Sequence, residues 1–282
     1  MGRDRLRQVL TLASYLVTVA VNGAANALPI NGQTTASISD RFEVLVIPAG
    51  YVFAIWGLIY ALLGAFSIDQ ARPSRATDPT LRRLGYLPAL TGVLNTVWLL
   101  LFQYEVFVLT VPVMLGLLVS LIAINAVTFA DRDHLAGTMR WTVRAPFSVY
   151  LGWITVATIA NIAQTLKATG FDGFGISPPI VAGGVLGLGL AIAVTFVWRF
   201  ADSVYGSVIV WAYVGIAVKE SSTPVVPAVA LVGATVVGAV LLATVALGRR
   251  PTAMRMAGVR PTAPWSVARP RPGRGPIDDR RG

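Results

Sequence analysis

The stretch VIPAGYVFAIWGLIYALLGAF, at residues 46–66, decides the class of this protein. It contains no charged residue and is long enough to cross the hydrocarbon core of a bilayer, about 30 Å, as a helix. Its residues Phe53, Trp56 and Tyr60 are spaced three and four positions apart, so on a helix they share one face. Leucine would suit lipid equally well. The aromatic face therefore indicates a role besides membrane insertion.

The whole chain has the composition of a membrane protein. Of its 282 residues, 55% are hydrophobic and 13% are charged, and the mean hydropathy is +0.68. The apolar runs are continuous and lack the alternation of a membrane β-strand, so helices are expected. We predict an all-α polytopic membrane protein with about eight transmembrane helices, at residues 9–28, 46–68, 86–103, 107–130, 146–166, 180–199, 203–218 and 225–248.

The net charge of +10 follows this topology and does not indicate a nucleic-acid partner. With a cytoplasmic N-terminus, all but three of the 23 Lys and Arg residues fall on the cytoplasmic side, as the positive-inside rule requires. The exceptions are Arg41, Lys167 and Lys219. Without an organelle signal, the expected location is a prokaryotic plasma membrane with both termini in the cytoplasm.

Four of the first five predicted helices carry a polar or aromatic stripe at helical spacing. The stripes are Ser14, Thr18, Asn22 and Asn26; Phe53, Trp56, Tyr60 and Gly64; Thr91, Asn95, Trp98 and Phe102; and Tyr150, Trp153, Ala157, Asn161 and Gln164. An amide that faces lipid is unsatisfied, so the stripes should face one another or a cavity. Rings with amide partners suit a flat, mostly apolar ligand. Ordinary interhelical packing with amide hydrogen bonds is the alternative.

Catalytic and metal sites are not expected. The chain has no cysteine, its one histidine, His134, lies in a charged loop, and no carboxylate pair or nucleophile–base arrangement is visible. Glu105, in the turn after the third helix, is expected to face water, and a role at a pocket mouth is the alternative. In the sixth helix, Gly183, Gly187 and Ala191 predict a close-packed face.

Three spaced motifs resemble the tryptophan-rich sensory protein family, also called translocator protein or peripheral benzodiazepine receptor (TspO/MBR). The motifs are Pro48, Gly50, Val52, Phe53, Trp56, Tyr60, Gly64 and Ala65; Leu94, Asn95, Trp98 and Phe102; and Tyr150, Trp153, Ala157 and Asn161. The resemblance covers roughly residues 9–166. Tyr51 stands where the family usually has tryptophan, and the last three spans have no counterpart in a five-helix family, so the chain resembles an extended, divergent member.

The resemblance implies a five-helix bundle, often dimeric, that binds porphyrins or other hydrophobic ligands. The loop after the first helix, here PINGQTTASISDRFEVL at residues 29–45, would cap the cavity. The ligand-binding positions carried over are Phe53, Trp56, Tyr60, Asn95, Trp98, Trp153, Ala157 and Asn161. No resident cofactor is implied, a porphyrin being a ligand. The expected partners are the bilayer, a hydrophobic small molecule and a second copy of the chain.

Three segments follow from this reading: a five-helix TspO-like core at residues 1–166, three additional transmembrane helices at 167–248, and a basic, Pro/Arg-rich tail at 249–282, expected to be disordered and cytoplasmic. The first helix could instead be a signal peptide, because Arg3, Arg5 and Arg7 precede an apolar run that ends near Ala25 and Ala27. Retention is favoured, since that run is longer than a signal core and its polar residues are patterned.

Two functional hypotheses follow, with a third kept open. The first is a membrane receptor or sensor that binds a flat hydrophobic ligand, such as a tetrapyrrole. The alternative is a facilitator or channel for small amphiphiles, in which the last three helices complete a path. An enzyme that modifies isoprenoids or tetrapyrroles is disfavoured, because no positioned proton-transfer pair is visible.

Overall fold

The structure, a computed structural model, describes residues 2–28, 30–135, 137–222 and 224–249, so the predicted tail lies outside it from residue 250 onward. The described residues form helices and no strand, which confirms the all-α class. Eight long helices overlap the eight predicted spans: α1 (Gly2–Ala27), α2 (Ile55–Ala71), α3 (Leu87–Gln103), α4 (Phe107–Ala130), α5 (Ala145–Ala168), α6 (Pro178–Phe200), α7 (Ser203–Lys219) and α8 (Val225–Ala246). The second span is the least accurate, because α2 begins nine residues after its predicted start at 46.

Six of these helices are long and apolar enough to cross a membrane, if α2 is counted with the 3₁₀ turn Gly50–Ala54 that precedes it. The other two, α3 and α7, are apolar but have 17 residues each. A helix of that length extends about 26 Å. It therefore covers most of the hydrocarbon core, and its flanking turns reach the interface. The protein is thus an integral membrane protein of the polytopic helical class.

The first five helices form a closed ring. Around the ring the order is α1, α2, α5, α4 and α3, and α3 packs against α1 to close it. The last three helices lie outside the ring, where α7 packs on α5 and α8 packs against both α6 and α7. One continuous apolar core includes residues from both groups. As predicted, the architecture is a five-helix bundle with three further helices.

The contact between α5 and α7 requires a glycine. A Cβ at Gly152 would lie 2.9 Å from Cβ of Val208 and 3.1 Å from the carbonyl oxygen of Tyr205, closer than real Cβ atoms tolerate. The absence of a side chain lets the two backbones approach, as small residues commonly do in membrane helices. Gly152 is therefore one of the points at which the ring and the outer helices meet closely; Gly215 of α7 is another, since a Cβ there would overlap Cγ2 of Val52.

The predicted packing face of α6 is wrong for two of its three residues, and only Gly183 lies against α8. Gly187 is exposed, and a Cβ there would meet no atom within 4 Å, and Ala191 is also exposed. The buried face consists instead of Ala182, Leu186, Gly189 and Ala193. In so glycine-rich a helix small residues occur on every side, so spacing alone did not identify the side that packs.

One end of the bundle concentrates arginines and buried carboxylates, and we call it the Arg-rich end. Here α1, α3, α5 and α7 begin and α2, α4, α6 and α8 end. Three buried acids at this end each have a cationic neighbour: Asp69 with Arg72 and Arg75, Asp131 with Arg83, and Asp202 with Arg144. Hydroxyl groups complete the sites, because Thr142, Thr80 and Ser148 donate to the same three carboxylates.

Candidate functional site

An aromatic cluster lies between α2 and α5. Phe53 and Trp56 both meet the ring of Trp153 edge to face, with ring centroids 5.5 Å and 6.1 Å apart. Tyr60 stacks on Trp56 at 5.5 Å, and Tyr150 meets Trp56 edge to face at 6.0 Å. Such offset and T-shaped pairs are the favoured geometries for aromatic rings. We call these five residues the aromatic cluster, and four of them were predicted ligand-binding positions.

Asn95 is the centre of a buried polar hub beside this cluster. Its side-chain oxygen accepts a hydrogen bond from Nδ2 of Asn22 at 3.0 Å, and its Nδ2 donates to the hydroxyl oxygen of Tyr150 at 3.0 Å. Asn95 itself is 1% exposed. The hub therefore joins α1, α3 and α5, and through Tyr150 it touches the aromatic cluster.

Trp98 and Asn161 form a second group. Nε1 of Trp98 donates to the side-chain oxygen of Asn161 at 3.2 Å, and Nδ2 of Asn161 donates to Oγ1 of Thr110 at 2.8 Å. Trp98 also stacks on Phe102, with ring centroids 5.2 Å apart. Thr110 was not predicted, because α4 shows no polar stripe in the sequence.

The eight predicted ligand-binding residues thus lie at two levels of α5. Asn161 is eight residues beyond Trp153, about 12 Å further along the helix axis. Ala157 lies between them, half-buried against the apolar core. Trp56 and Trp153 are in contact, whereas Trp98 belongs to the level of Asn161. The predicted ligand-binding residues therefore do not surround one common cavity.

A small cavity lies inside the ring, next to the aromatic cluster. This cavity, of about 20 Å³, lies between α1, α2, α3 and α5. The two tyrosines of the aromatic cluster and short hydroxyl side chains line it, including Ser14, Thr18 and Thr91. Its size suits a single water molecule, whereas pockets for drug-sized ligands hold about 300–1,000 Å³. A flat ligand could enter this region only if rings of the cluster move.

Two buried donors on α5 have no partner among the described residues. They are Nε1 of Trp153 and Nε2 of Gln164, and their side chains belong to residues that are 2% and 3% exposed. Leaving a buried donor unsatisfied costs about 1–3 kcal/mol. Both residues belong to the same predicted stripe as Asn161. Trp153 belongs to the aromatic cluster, whereas Gln164 lies eleven residues further on, about 16 Å along α5. Each donor can therefore bind an acceptor only at its own level of the helix.

The loop between α1 and α2 covers the end of the ring that lies opposite the Arg-rich end. Its short helix, Thr35–Asp40, inserts the fully buried Ile38 against Phe102 and Phe107. Gln103 fastens the loop, because its backbone carbonyl accepts from Asn31 at 3.1 Å and its Nε2 donates to the carbonyl of Gln33 at 3.2 Å. This segment has the position expected of a lid.

Glu105 is partly exposed, as expected of an acid in a turn, and it also holds this loop. Its Oε1 accepts from Nε2 of Gln33 at 2.6 Å and lies 2.8 Å from NH2 of Arg41. The hydrogen bond from Gln33 and, after it, the one from Arg41 lower the pKa of the Glu105 carboxyl below its ordinary value of 4.5. The charged form of Glu105 is the one that fastens the lid.

The lid should therefore loosen in acid. Because the pKa of Glu105 is lowered by folding, its contact contributes stability above pH 4.5 and loses it as the pH falls through the lowered value. We expect amide exchange over residues 30–45 to be up to about fivefold slower in the native protein than in Glu105→Gln at neutral pH, a modest effect because the ion pair is partly exposed. In acid, below the lowered pKa, the two proteins should exchange equally. A difference that persists there would contradict the assignment.

Metal ligands are not grouped in the residues that the structure describes. No set of three His, Cys, Asp or Glu side chains there could hold an ion, and His134 is exposed. The buried carboxylates of the Arg-rich end accept hydrogen bonds from hydroxyl groups and lie beside arginines. Their partners are thus protein groups.

The fold and this site define a polytopic helical membrane protein in which a five-helix ring encloses aromatic and amide side chains beneath a fastened loop. The chain belongs to the TSPO-like protein family, whose sequence model matches residues 8–244. The matched range continues past residue 166, so α6, α7 and most of α8 fall within the family match, contrary to the expectation that these spans have no counterpart. No curated protein and no solved structure matches the chain.

Proposed function

We propose that this protein is a membrane receptor that binds a flat, aromatic ligand carrying hydrogen-bond acceptors, such as a porphyrin, between α2 and α5. The observation that carries the proposal is the aromatic cluster together with the buried, unpartnered donor within it, Nε1 of Trp153. The rings would stack against the ligand, and Nε1 of Trp153 would bind one of its acceptors.

The ligand would enter the aromatic cluster from the side formed by α2 and the turn before it. Phe53 is 38% exposed and Trp56 is partly exposed, whereas Trp153 is 2% exposed. The α2 rings can therefore swing toward lipid while Trp153 stays fixed in the core. Because Trp56 and Trp153 touch in the structure, binding requires their separation, and part of the binding free energy is spent on it.

The receptor hypothesis is favoured over a facilitator. In the described part of the ring, the aromatic cluster, the Asn95 hub and the Trp98–Asn161 pair fill the interior at successive levels. A facilitator needs a path through all of these levels, whereas a receptor needs only local displacement of a few rings. Ligand flux in proteoliposomes separates the two, since a receptor binds without flux. We also expect no turnover, and product analysis after incubation in the dark tests this.

The binding test uses a matched pair of Trp→Phe variants. Purified protein is titrated with protoporphyrin in the dark, and binding is followed by fluorescence quenching. Trp153→Phe removes the unpartnered N–H and keeps a ring in the cluster, so the dissociation constant should rise about 5- to 30-fold, the loss of one buried hydrogen bond. Trp198→Phe changes an indole that is 45% exposed on α6, outside the ring, and should leave affinity unchanged.

Two results would reject the proposal in different ways. If the native protein does not quench porphyrin fluorescence saturably, the ligand class is wrong. If it does so and the two variants bind equally well, the ligand binds elsewhere. A Gln164→Leu variant gives a second control, because it removes an unpartnered donor that lies about 16 Å further along α5 and should leave affinity unchanged.

A further inference from the structure

A second cavity, of about 580 Å³, lies at the Arg-rich end, outside the five-helix ring interior. It is bounded by the loop between α4 and α5, the start of α5, the turn between α6 and α7, and the chain just after α8. It therefore lies where the ring meets the three outer helices. The aromatic cluster does not contribute to it, and the proposed receptor site does not need it.

Cationic groups dominate the lining of this cavity. Of the residues lining it in the described ranges, four are arginines and two are aspartates: Arg132, Arg140, Arg144, Arg249, Asp133 and Asp202. Asp202 already accepts hydrogen bonds from two backbone N–H groups of α7 and from Ser148. Asp133 points to water, with its side chain 92% exposed and 3.6 Å from Arg132. The cavity thus keeps an excess of positive charge.

Aromatic rings hold three of the arginines in place. The guanidinium carbon of Arg249 lies 3.7 Å from the ring centroid of Trp198, that of Arg144 lies 5.0 Å from Phe129, and that of Arg140 lies 5.7 Å from Trp141. Such cation–π contacts use the guanidinium face and leave its edge N–H groups directed outward. Within the described residues, no protein group accepts a hydrogen bond from Arg140. Arg144 lies 3.9 Å from Asp202, and NH1 of Arg249 donates to the carbonyl of Trp198 at 3.4 Å, so Arg140 has all of its N–H groups available to an anion and Arg249 keeps most of them.

The depth of the cavity in the membrane limits which anions are expected to bind there. Trp141 is 61% exposed and Trp198 is 45% exposed, both at the ends of transmembrane segments. Exposed tryptophans at such positions lie at the level of the lipid headgroups. An anion bound between them is therefore at the depth of phospholipid phosphates, and guanidinium forks match phosphate oxygens in geometry.

We infer that this cavity binds a phosphate ester with net negative charge, in the manner of an anionic phospholipid headgroup. Its volume exceeds that of a bare phosphate and leaves room for the glycerol portion of a headgroup. The same chemistry is offered by a soluble phosphate ester, and the two sources are separated by experiment. Binding at this junction would link the ring to the outer helices through Arg144 and Arg249.

The experiment has a lipid arm and a soluble arm. In the first, protein in a neutral detergent is mixed with phosphatidylglycerol or with phosphatidylcholine of the same acyl chains, and native mass spectrometry counts the lipids bound. In the second, glycerol phosphate is titrated calorimetrically. We expect one phosphatidylglycerol to bind at least about tenfold more tightly than phosphatidylcholine, given about fivefold for each arginine engaged.

The variants test the location. Arg140 and Arg249 are both exposed, so the double variant Arg140→Gln/Arg249→Gln should fold and should lower the affinity about 30-fold. The matched control, Arg3→Gln/Arg5→Gln, removes the same charge from exposed positions at the same end and should bind as the native protein does. Thermal unfolding checks that both variants remain folded.

Each outcome decides the inference. Tight binding of the lipid alone, lost in the double variant, identifies a lipid site, and binding of glycerol phosphate as well identifies a site for soluble phosphate esters. Absence of selective binding in both arms, or equal loss in the two double variants, overturns the inference. If the Arg140/Arg249 variant unfolds, the salt dependence of binding to the native protein tests the inference instead. Raising NaCl from about 0.05 M to about 0.5 M must weaken binding to a cationic site.

Discussion

Asp202→Ala is expected to lower the free energy of unfolding by about 3–5 kcal/mol, the cost of removing one member of a buried charge network. Asp202 is 1% exposed. Its Oδ1 caps α7 by accepting from the N–H groups of Val204 and Tyr205 at 3.0 Å and 3.1 Å, and its Oδ2 accepts from Ser148 of α5 at 2.7 Å. Alanine removes the cap, leaves the hydroxyl of Ser148 without its acceptor, and leaves Arg144, 3.9 Å away, without its counter-charge.

Thermal and denaturant unfolding in detergent measure this loss of stability. Two further variants give the values with which it is compared. Asp202→Asn keeps the side-chain shape and one capping oxygen, so its loss should be about half as large or less. Asp133→Ala removes an acid at the same end whose side chain is 92% exposed, and it should change stability by no more than about 0.5 kcal/mol. If Asp202→Ala resembles Asp133→Ala, the junction of α5 and α7 does not depend on this carboxylate.

Asn95→Ala is expected to destabilise the protein by about 2–3 kcal/mol, because the hub loses two interhelical hydrogen bonds and a buried side chain at once. The amide accepts from Asn22 on α1 and donates to Tyr150 on α5. No second group at that level of the ring replaces both bonds in the described residues. The loss should therefore fall on the contacts among α1, α3 and α5.

Asn26→Ala is the matched control for this prediction. Asn26 belongs to the same α1 stripe as Asn22, yet it is exposed and its amide donates only within α1, to the carbonyl of Asn22 at 2.8 Å. Its replacement should cost less than about 0.5 kcal/mol. Equal unfolding temperatures for the two variants would show that the buried amides are not structural, and the polar stripes would then need another explanation.

The helices and most of the residues that face inward could be predicted from the sequence, because the bilayer restricts which structures can cross it and which side chains can face lipid. Continuous apolar runs of about 20 residues favour helices, and an unsatisfied amide in lipid is costly, so period 3.6 placed Asn22, Asn95 and Asn161 in the interior, although Asn26 of the same stripe is exposed. The aromatic spacing of Phe53, Trp56 and Tyr60 likewise predicted one face. These statements concern one helix at a time.

The hydrogen-bond partners that these residues have on other helices could not be predicted from the sequence pattern. Thr110 binds Asn161, and Asp202 binds Ser148, but nothing in the local pattern of α4 or α7 marks these residues. Likewise Glu105 in its turn looked like any solvated acid until the lid brought Gln33 and Arg41 to it. A hydrogen bond between helices depends on their relative height and rotation, which single-helix periodicity does not contain.

The sequence by itself therefore determined the membrane class, the eight helices and the inward stripes, because hydrophobic length and amide desolvation act locally. Only the tertiary structure decided that Trp98 pairs with Asn161, eight residues along α5 from Trp153, and that Trp56 and Trp153 are in contact. It also decided which face of α6 packs, and it gathered distant arginines around a cavity at the end of the bundle. Those features depend on how far each helix is shifted along its neighbours and rotated about its own axis. The packing of the whole bundle determines both the shift and the rotation.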